Sequence, residues 1–272
     1  MLRGLYTAYT GMRNEQKRLD VISNNIANAA TVGYKTESVS NQSFDDALTL
    51  KIKDQTTPYK YDAIGGMNLG VKIGEIYTDY GQGSLNETEN KFDLAVAGKG
   101  FFNVGVTNAN GQMNVKYTRD GSFTMTSDGY VVTSNGDNLL DINGRPIRVT
   151  STATDISIDK DGAIYADNNY MGRIALTDFQ DYDYLEKYGE NMYQTVNGAT
   201  PINANGTIRQ GFLEQSNVDS VSEMVDLITV TRAYEANQKI IQSMDGMLDK
   251  AVNDVGRVLE EEWYIVNSVT LS

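Results

Sequence analysis

Apolar side chains recur at steps of three and four at both ends of this chain, and in short alternating runs between them. Met1, Leu5, Ala8, Met12, Leu19, Ile22, Ile26 and Ala29 form one stripe, broken only by Glu15. Leu227, Val230, Tyr234, Ile241, Met244, Leu248, Ala251, Val255 and Val258 form a second, with Asn237 its frankly polar member. Stripes this narrow are coiled-coil seams, not the broad face of a helix lying on a globular core. Each seam needs a cover, and the other terminus carries the matching one. The expected fold class is α+β: N- and C-terminal helices paired as a coiled coil, with a central β-rich domain.

The pattern divides the chain into five parts. Residues 1–35 are the N-terminal helix, fading near Asn28 to Gly33 as Asn, Ala, Thr and Gly replace the periodic residues. Residues 36–90 are an extended connecting segment. Within it Phe44 to Ile52 suits a short helix or a strand, and Asp54 to Gly70, with Pro58, Gly65 and Gly66, reads as a long loop. Such a loop is expected to pack against something else, such as a neighbouring subunit. Residues 91–211 are β-rich: Asn-Gly pairs at 110–111, 135–136, 143–144, 197–198 and 205–206, and Asp-Gly pairs at 120–121, 128–129 and 161–162, separate short strands. Residues 212–259 are the C-terminal helix, and 260–272 form a partly apolar tail (Ile265, Val266, Val269, Leu271) that caps the helix pair, lines a contact or is disordered.

Charge adds a direction to this layout. The chain holds 23 basic and 36 acidic residues, a net −13, which argues against nucleic acid and anionic membrane surfaces as partners. Residues 1–35 nevertheless hold five basic against two acidic side chains, and 212–262 hold eleven acidic against four basic. A basic first helix and an acidic last one attract, favouring pairing and register. Cysteine and histidine are both absent, which removes disulfides, thiolate sites and the commonest general base and metal ligand. No metal or cofactor is implied. No run of about 20 apolar residues is present to insert in a membrane. Charges at Arg3, Arg13, Glu15, Lys17, Arg18 and Asp20 leave no room for the apolar core of a signal peptide, so a destination outside the cytosol requires export without signal cleavage.

Four sequence blocks carry a family resemblance. VISNNIANAATVGYK at 21–35, with Asn25, Asn28, Thr31, Gly33, Tyr34 and Lys35, resembles the N-terminal signature of bacterial flagellar rod and hook proteins. DLAVAGKGFF at 93–102 and YTRDGSF at 117–123 resemble successive blocks of that family's β domain. LEQSNVDSVSEMVDLITVTRAYEANQK at 213–239, with Asn217, Arg232, Glu235 and Asn237, is similar to its C-terminal signature. Within the family the likeness runs to the distal rod, with the proximal rod or the hook as alternatives. The resemblance implies paired terminal helices forming an inner tube with a β domain outside. It also implies export through the flagellar type III apparatus, helical self-polymerisation beside other rod and hook proteins, and a place in the basal body outside the cytoplasmic membrane. The product is a hollow drive shaft that transmits torque.

Individual residues have competing readings. Gly33 is expected simply to turn the chain after the helix, whereas Asn25 is expected to bond neighbouring backbone within the tube. Asn237 either fixes register in the seam or faces a wet channel. Leu5, Met12, Leu19, Ile22, Ile26, Leu227, Tyr234, Ile241, Leu248 and Val255 are the expected assembly seam, and Arg232 and Glu235 candidate ion-pair partners. Gly98-Lys99-Gly100 lacks the full spacing of a phosphate loop and reads as a turn before Phe101-Phe102. Asp159 to Gly162 lacks the twelfth-position glutamate of a calcium loop and reads as a hairpin turn. An enzyme using Asp161 and Asp167 as a carboxylate pair is the rival from another class, and a β-rich surface-binding module a third; neither requires a seam at each terminus. Long helices with open seams are marginal alone, so both ends are expected to be disordered before assembly.

Overall fold

The computed structural model describes residues 2–52, 61–68, 70–108, 111–150, 153, 155–189 and 191–269, with 47–52, 61–64 and 254–269 described through their backbone. The chain separates into two compact units. A helical unit gathers residues 1–23, 38–76 and 221–272; a β unit gathers 24–37 and 77–220.

Helix α1 spans Leu2–Ala27 and helix α2 spans Ser220–Val269, the latter about 75 Å long at about 1.5 Å per residue. In the helical unit the two helices touch. A Cβ on Gly4 would lie 2.5 Å from Met244 Cε, and one on Gly11 would lie 3.2 Å from Asn237 Nδ2. Seven residues forward on α1 thus match seven back on α2, so the helices run antiparallel where they meet. Asn237 is among the less exposed residues of α2, as are Leu227, Tyr234, Ile241, Met244 and Leu248, and Val230 is buried. On α1, Ala8 and Ile22 are buried and Leu5, Met12 and Leu19 half-buried. The side chain of Val255 lies outside the described residues.

The connecting segment is not one long loop. Strand Glu37–Ser43 pairs with Val71–Thr78, and Ala47–Ile52 pairs antiparallel with Tyr61–Met67 as a ribbon. The expected loop from Asp54 to Gly70 therefore contains a strand, its glycines accommodated by a register shift between Thr49 and Leu50 and by Gly65 at φ 129°. Residues 53–60 lie outside the described residues. At the other end, Phe212–Glu214 is a strand paired with Leu85–Glu87, and α2 begins only at Ser220. It then continues through the expected tail to Val269, since neither Gly nor Pro follows Arg257 to stop it.

The β unit centres on a nine-stranded antiparallel sheet. Phe101–Thr107 is its hub, pairing with Met113–Thr118, Asn138–Leu139 and Leu176–Phe179. A three-stranded sheet of Ile156–Ile158, Ala163–Ala166 and Asn169–Arg173 stands beside it. Adjacent residues of a strand face opposite ways, and Phe101 and Phe102 use this to fill two cores. Phe102 joins Leu94, Val96, Phe123, Leu139 and Ile164 in the larger one. Phe101 joins Phe179, Leu185 and Tyr193 in an aromatic cluster flanked by Tyr80, Tyr117 and Tyr182.

Gly98 and Gly100 precede that pair at φ 106° and 134°, and Asp159–Gly162 closes the hairpin between Ile156–Ile158 and Ala163–Ala166. Two dipeptides expected as hairpin turns behave otherwise. Gly121 and Gly206 have no positive φ; their missing side chains make room for the carbonyls of Leu94 and Lys99.

Candidate functional site

The family-like blocks converge in the β unit. Helix α1 unwinds through turns at Asn28 and Thr31, where Asn28 Nδ2 donates to Asn24 O at 2.9 Å and Thr31 Oγ1 donates to Asn28 Oδ1 at 3.2 Å. Gly33 follows at φ 68°, its N–H donating to Glu214 O at 2.8 Å. A Cβ there would stand 2.5 Å from the backbone of Arg119 and Asp120. Gly33 thus does more than turn the chain: only glycine lets residues 33–36 lie against both distant blocks.

Asn25 acts within its own chain. Its Nδ2 donates to Glu37 O at 2.8 Å while its Oδ1 accepts from Glu37 N at 3.1 Å and Tyr34 Oη at 3.2 Å. The amide reproduces a strand-like pairing for residue 37, and the buried Tyr34 ring lies under Lys187 Nζ, 4.4 Å from its centroid. Lys187 in turn pairs with Glu37 at 2.8 Å.

Beside this lies a buried ionic knot. Glu214 is wholly buried; its Oε1 accepts from Lys35 Nζ at 2.6 Å and from Gly83 N at 3.0 Å, and its Oε2 accepts from Arg119 Nη1 at 3.2 Å. Lys35 also donates to Gly81 O at 2.7 Å. Burial lowers the Lys35 pKa below the usual ammonium value, and the Glu214 carboxylate opposes that shift. Arg119 lies over the Phe101 face at 5.1 Å, with its Nε buried and unpaired. One carboxylate facing two cations, with three donors on its oxygens, is a fixed crosslink rather than an acid–base group.

Asn217 completes the join. Its Oδ1 accepts from Thr36 N and Thr36 Oγ1, both at 2.8 Å, and its Nδ2 donates to Asp79 O at 2.9 Å. Asp93, from a third block, accepts from Thr88 Oγ1 and Asn90 Nδ2, and its carbonyl accepts from Gly211 N. The site therefore brings together Asn25, Thr31, Gly33, Tyr34, Lys35 and Asn217.

It does not include Arg232, Glu235 or Asn237, which lie on α2; Arg232 and Glu235 are exposed and make no ion pair among the described residues. Ile26 is half-buried on the last turn of α1. The proposed carboxylate pair is not a site either: Asp161 sits in a hairpin turn, and Asp167, at φ 47°, accepts from Asp155 N. Among the described residues no cluster of metal-ligating side chains occurs and no helix is long and apolar enough to cross a membrane.

Sequence reasoning missed the ionic knot and the segment 79–83, whose backbone carbonyls and amide receive Asn217, Lys35 and Glu214. The available signal was a Lys and a Glu embedded in separate blocks that otherwise read as turn and strand.

Comparison with known proteins matches three family descriptions along the chain: flagella basal body rod protein over residues 5–35, flagellar hook protein FlgE/F/G D1 domain over 95–166, and flagellar basal body rod FlgEFG protein C-terminal over 209–254. Flagellar basal-body rod protein FlgG of Bacillus subtilis is 35% identical over 271 residues, covering 93% of this chain and 99% of the relative. FlgG of Agrobacterium fabrum is 33% identical, covering 90% and 97%. Flagellar basal-body rod protein FlgF of Caulobacter vibrioides is 34% identical, covering 95% and 100%.

Proposed function

The chain belongs to the flagellar basal-body rod protein family and is a structural subunit of the rod in the basal body, and from that premise we propose that it is a distal-rod subunit which polymerises helically into a hollow drive shaft. The similarity to FlgG proteins over most of both chains supports the distal assignment. Type III export delivers the chain, and docking with other rod and hook proteins and with copies of itself folds its terminal helices together as a coiled coil.

One observation carries the mechanism: Lys35 from the N-terminal block and Arg119 from the β body clasp the same buried Glu214 from the C-terminal block. A shaft that transmits torque needs stiff subunits, and a desolvated knot in which both carboxylate oxygens of Glu214 are bonded stiffens the β unit where the N- and C-terminal blocks meet. The seam residues Leu5, Met12, Leu19, Ile22, Ile26, Leu227, Tyr234, Ile241, Leu248 and Val255 supply the helix contact. Ile241→Asp places a charge in that seam and is expected to abolish rod assembly and swimming; normal swimming by the variant would overturn the seam.

A second reading, a proximal-rod subunit, has a specific observation behind it: the similarity to FlgF of Caulobacter vibrioides nearly equals that to FlgG. Electron microscopy of basal bodies from cells lacking the chain separates the two. Rods that stop after their proximal part support the distal assignment, and absence of any rod supports the proximal one.

A further inference from the structure

A cavity of about 160 Å³ lies inside the helical unit, between α1 and the strand Val71–Thr78. Tyr9, Thr10, Arg13 and Asn14 line it from α1, with Phe44, Lys72 and their neighbours opposite. Asn14 is 2% exposed, yet its Oδ1 has no hydrogen-bond partner. A buried amide oxygen without a donor is unfavourable, so the cavity is a place that this copy leaves incomplete. Arg13 and Lys72 stand at the same cavity and make no ion pair among the described residues. Tyr9 and Phe44, 49% and 38% exposed, bring two rings to it. Beside that acceptor the site offers two positive charges and an apolar socket: it fits a peptide segment bearing a carboxylate and an apolar side chain.

The start of α2 has that chemistry. Met224, Val225 and Ile228 are exposed large apolar residues within two turns, and the exposed Asp226 lies among them. Among the residues of α2 whose side chains are described, no other stretch is as dense; Ile240 and Met247 stand seven residues apart. We infer that the cavity at Asn14 is a socket for a second copy of this chain, which inserts the Met224–Ile228 turns of its α2 and sets Asp226 against Arg13 and Lys72. The charges are complementary in the large as in the small, since the α1 end of the chain is basic and the α2 end acidic. The inference rests on the self-assembly reading above and names the contact by which one copy grips the next.

The absence of cysteine makes the test clean. Cells produce two full-length versions together, one carrying Lys72→Cys and the other Met224→Cys, both replacements of exposed side chains. Basal bodies are isolated, oxidised and run without reductant. A crosslinked dimer is expected, stronger than from a control pairing of Lys72→Cys with Met247→Cys. Basal bodies containing the chain but yielding equal dimer from both pairings would overturn the socket and leave self-assembly standing. Basal bodies from which the chain is missing would overturn both.

Asp226→Lys supplies an independent readout. Its melting temperature is expected to hold, because Asp226 is exposed. Made alongside the unaltered chain in equal amount, it is expected to enter basal bodies about tenfold less, equivalent to about 1.4 kcal/mol. Equal entry would overturn the proposal.

Discussion

The two units meet the demand for apolar burial in opposite ways. In the β unit Val96, Phe101, Phe102 and Leu139 are completely buried, and the ionic knot beside them leaves no oxygen of Glu214 without a donor. In the helical unit, Val221, Val225 and Val252 of α2 are 68%, 58% and 71% exposed. The first unit encloses two cores of its own, although Ile142 and Tyr170 stay exposed at its surface. The second leaves large apolar side chains of α2 uncovered, which marks a surface available for a further contact. Stability and assembly should therefore be separable by mutation, and the following experiments test that separation from its strongest consequence to its weakest.

Glu214→Ala should have the largest effect on folding. It strands Lys35 and Arg119 in a buried site without a counter-charge, and removing one side of such an arrangement costs about 3–5 kcal/mol. Urea unfolding of the full chain, followed by near-ultraviolet circular dichroism of the tyrosines, measures it. A loss under about 1 kcal/mol would mean that water reaches the knot and that the β unit is less closed than its burial implies.

Alkali should open the same unit next. Burial pushes the phenols of Tyr80 and Tyr182 up to about 12 and that of Tyr193 further. The folded unit therefore keeps protons that the unfolded chain sheds near pH 10; that stabilisation is whole below pH 10 and is lost as the pH rises to about 12. Lys35 acts in the other direction, since its lowered pKa means that folding becomes easier as pH climbs from its folded value to 10.5. Three phenols outweigh one amine, so stability should fall. Phenolate absorbance should appear together with loss of tertiary signal; phenolate formed in a still-folded chain would contradict the closure of the aromatic cluster.

Gly33→Ala is a smaller perturbation of the same region. A side chain at φ 68° costs about 1–3 kcal/mol, and the contact with the Arg119 and Asp120 backbone places this position toward the upper end. The urea midpoint should drop with the slope unchanged.

Much of the fold was legible because it rests on local pattern. The helices follow from the three-and-four spacing, and the hairpins at Gly129, Gly136, Gly144 and Gly162 from dipeptides that tolerate positive φ. The ribbon of Ala47–Ile52 and Tyr61–Met67 was not, because its glycines disguise a strand as a loop. The knot was not legible for a different reason. Lys35 and Glu214 are 179 residues apart, and nothing local to either distinguishes a buried ion from a solvated one. Even Gly33 has the local pattern of an ordinary helix terminator, and its contact with the Arg119 backbone comes from a distant block. Pattern reports periods and turns; it does not report which polar groups meet after long excursions of the chain.

The smallest effect on folding belongs to the uncovered side of α2. Ile240 is 45% exposed, so Ile240→Ser should change the stability of the isolated chain by no more than about 0.5 kcal/mol. If the comparison between the units is right, the same substitution should still reduce entry into basal bodies when the variant competes with the unaltered chain, because the area it removes is buried only there. Ser carries a hydroxyl into a contact built for hydrocarbon, so the deficit should exceed that of Ile240→Val. A variant that folds and assembles without deficit would place Ile240 on a face that stays wet in the rod, and would narrow the assembling surface to the first turns of α2.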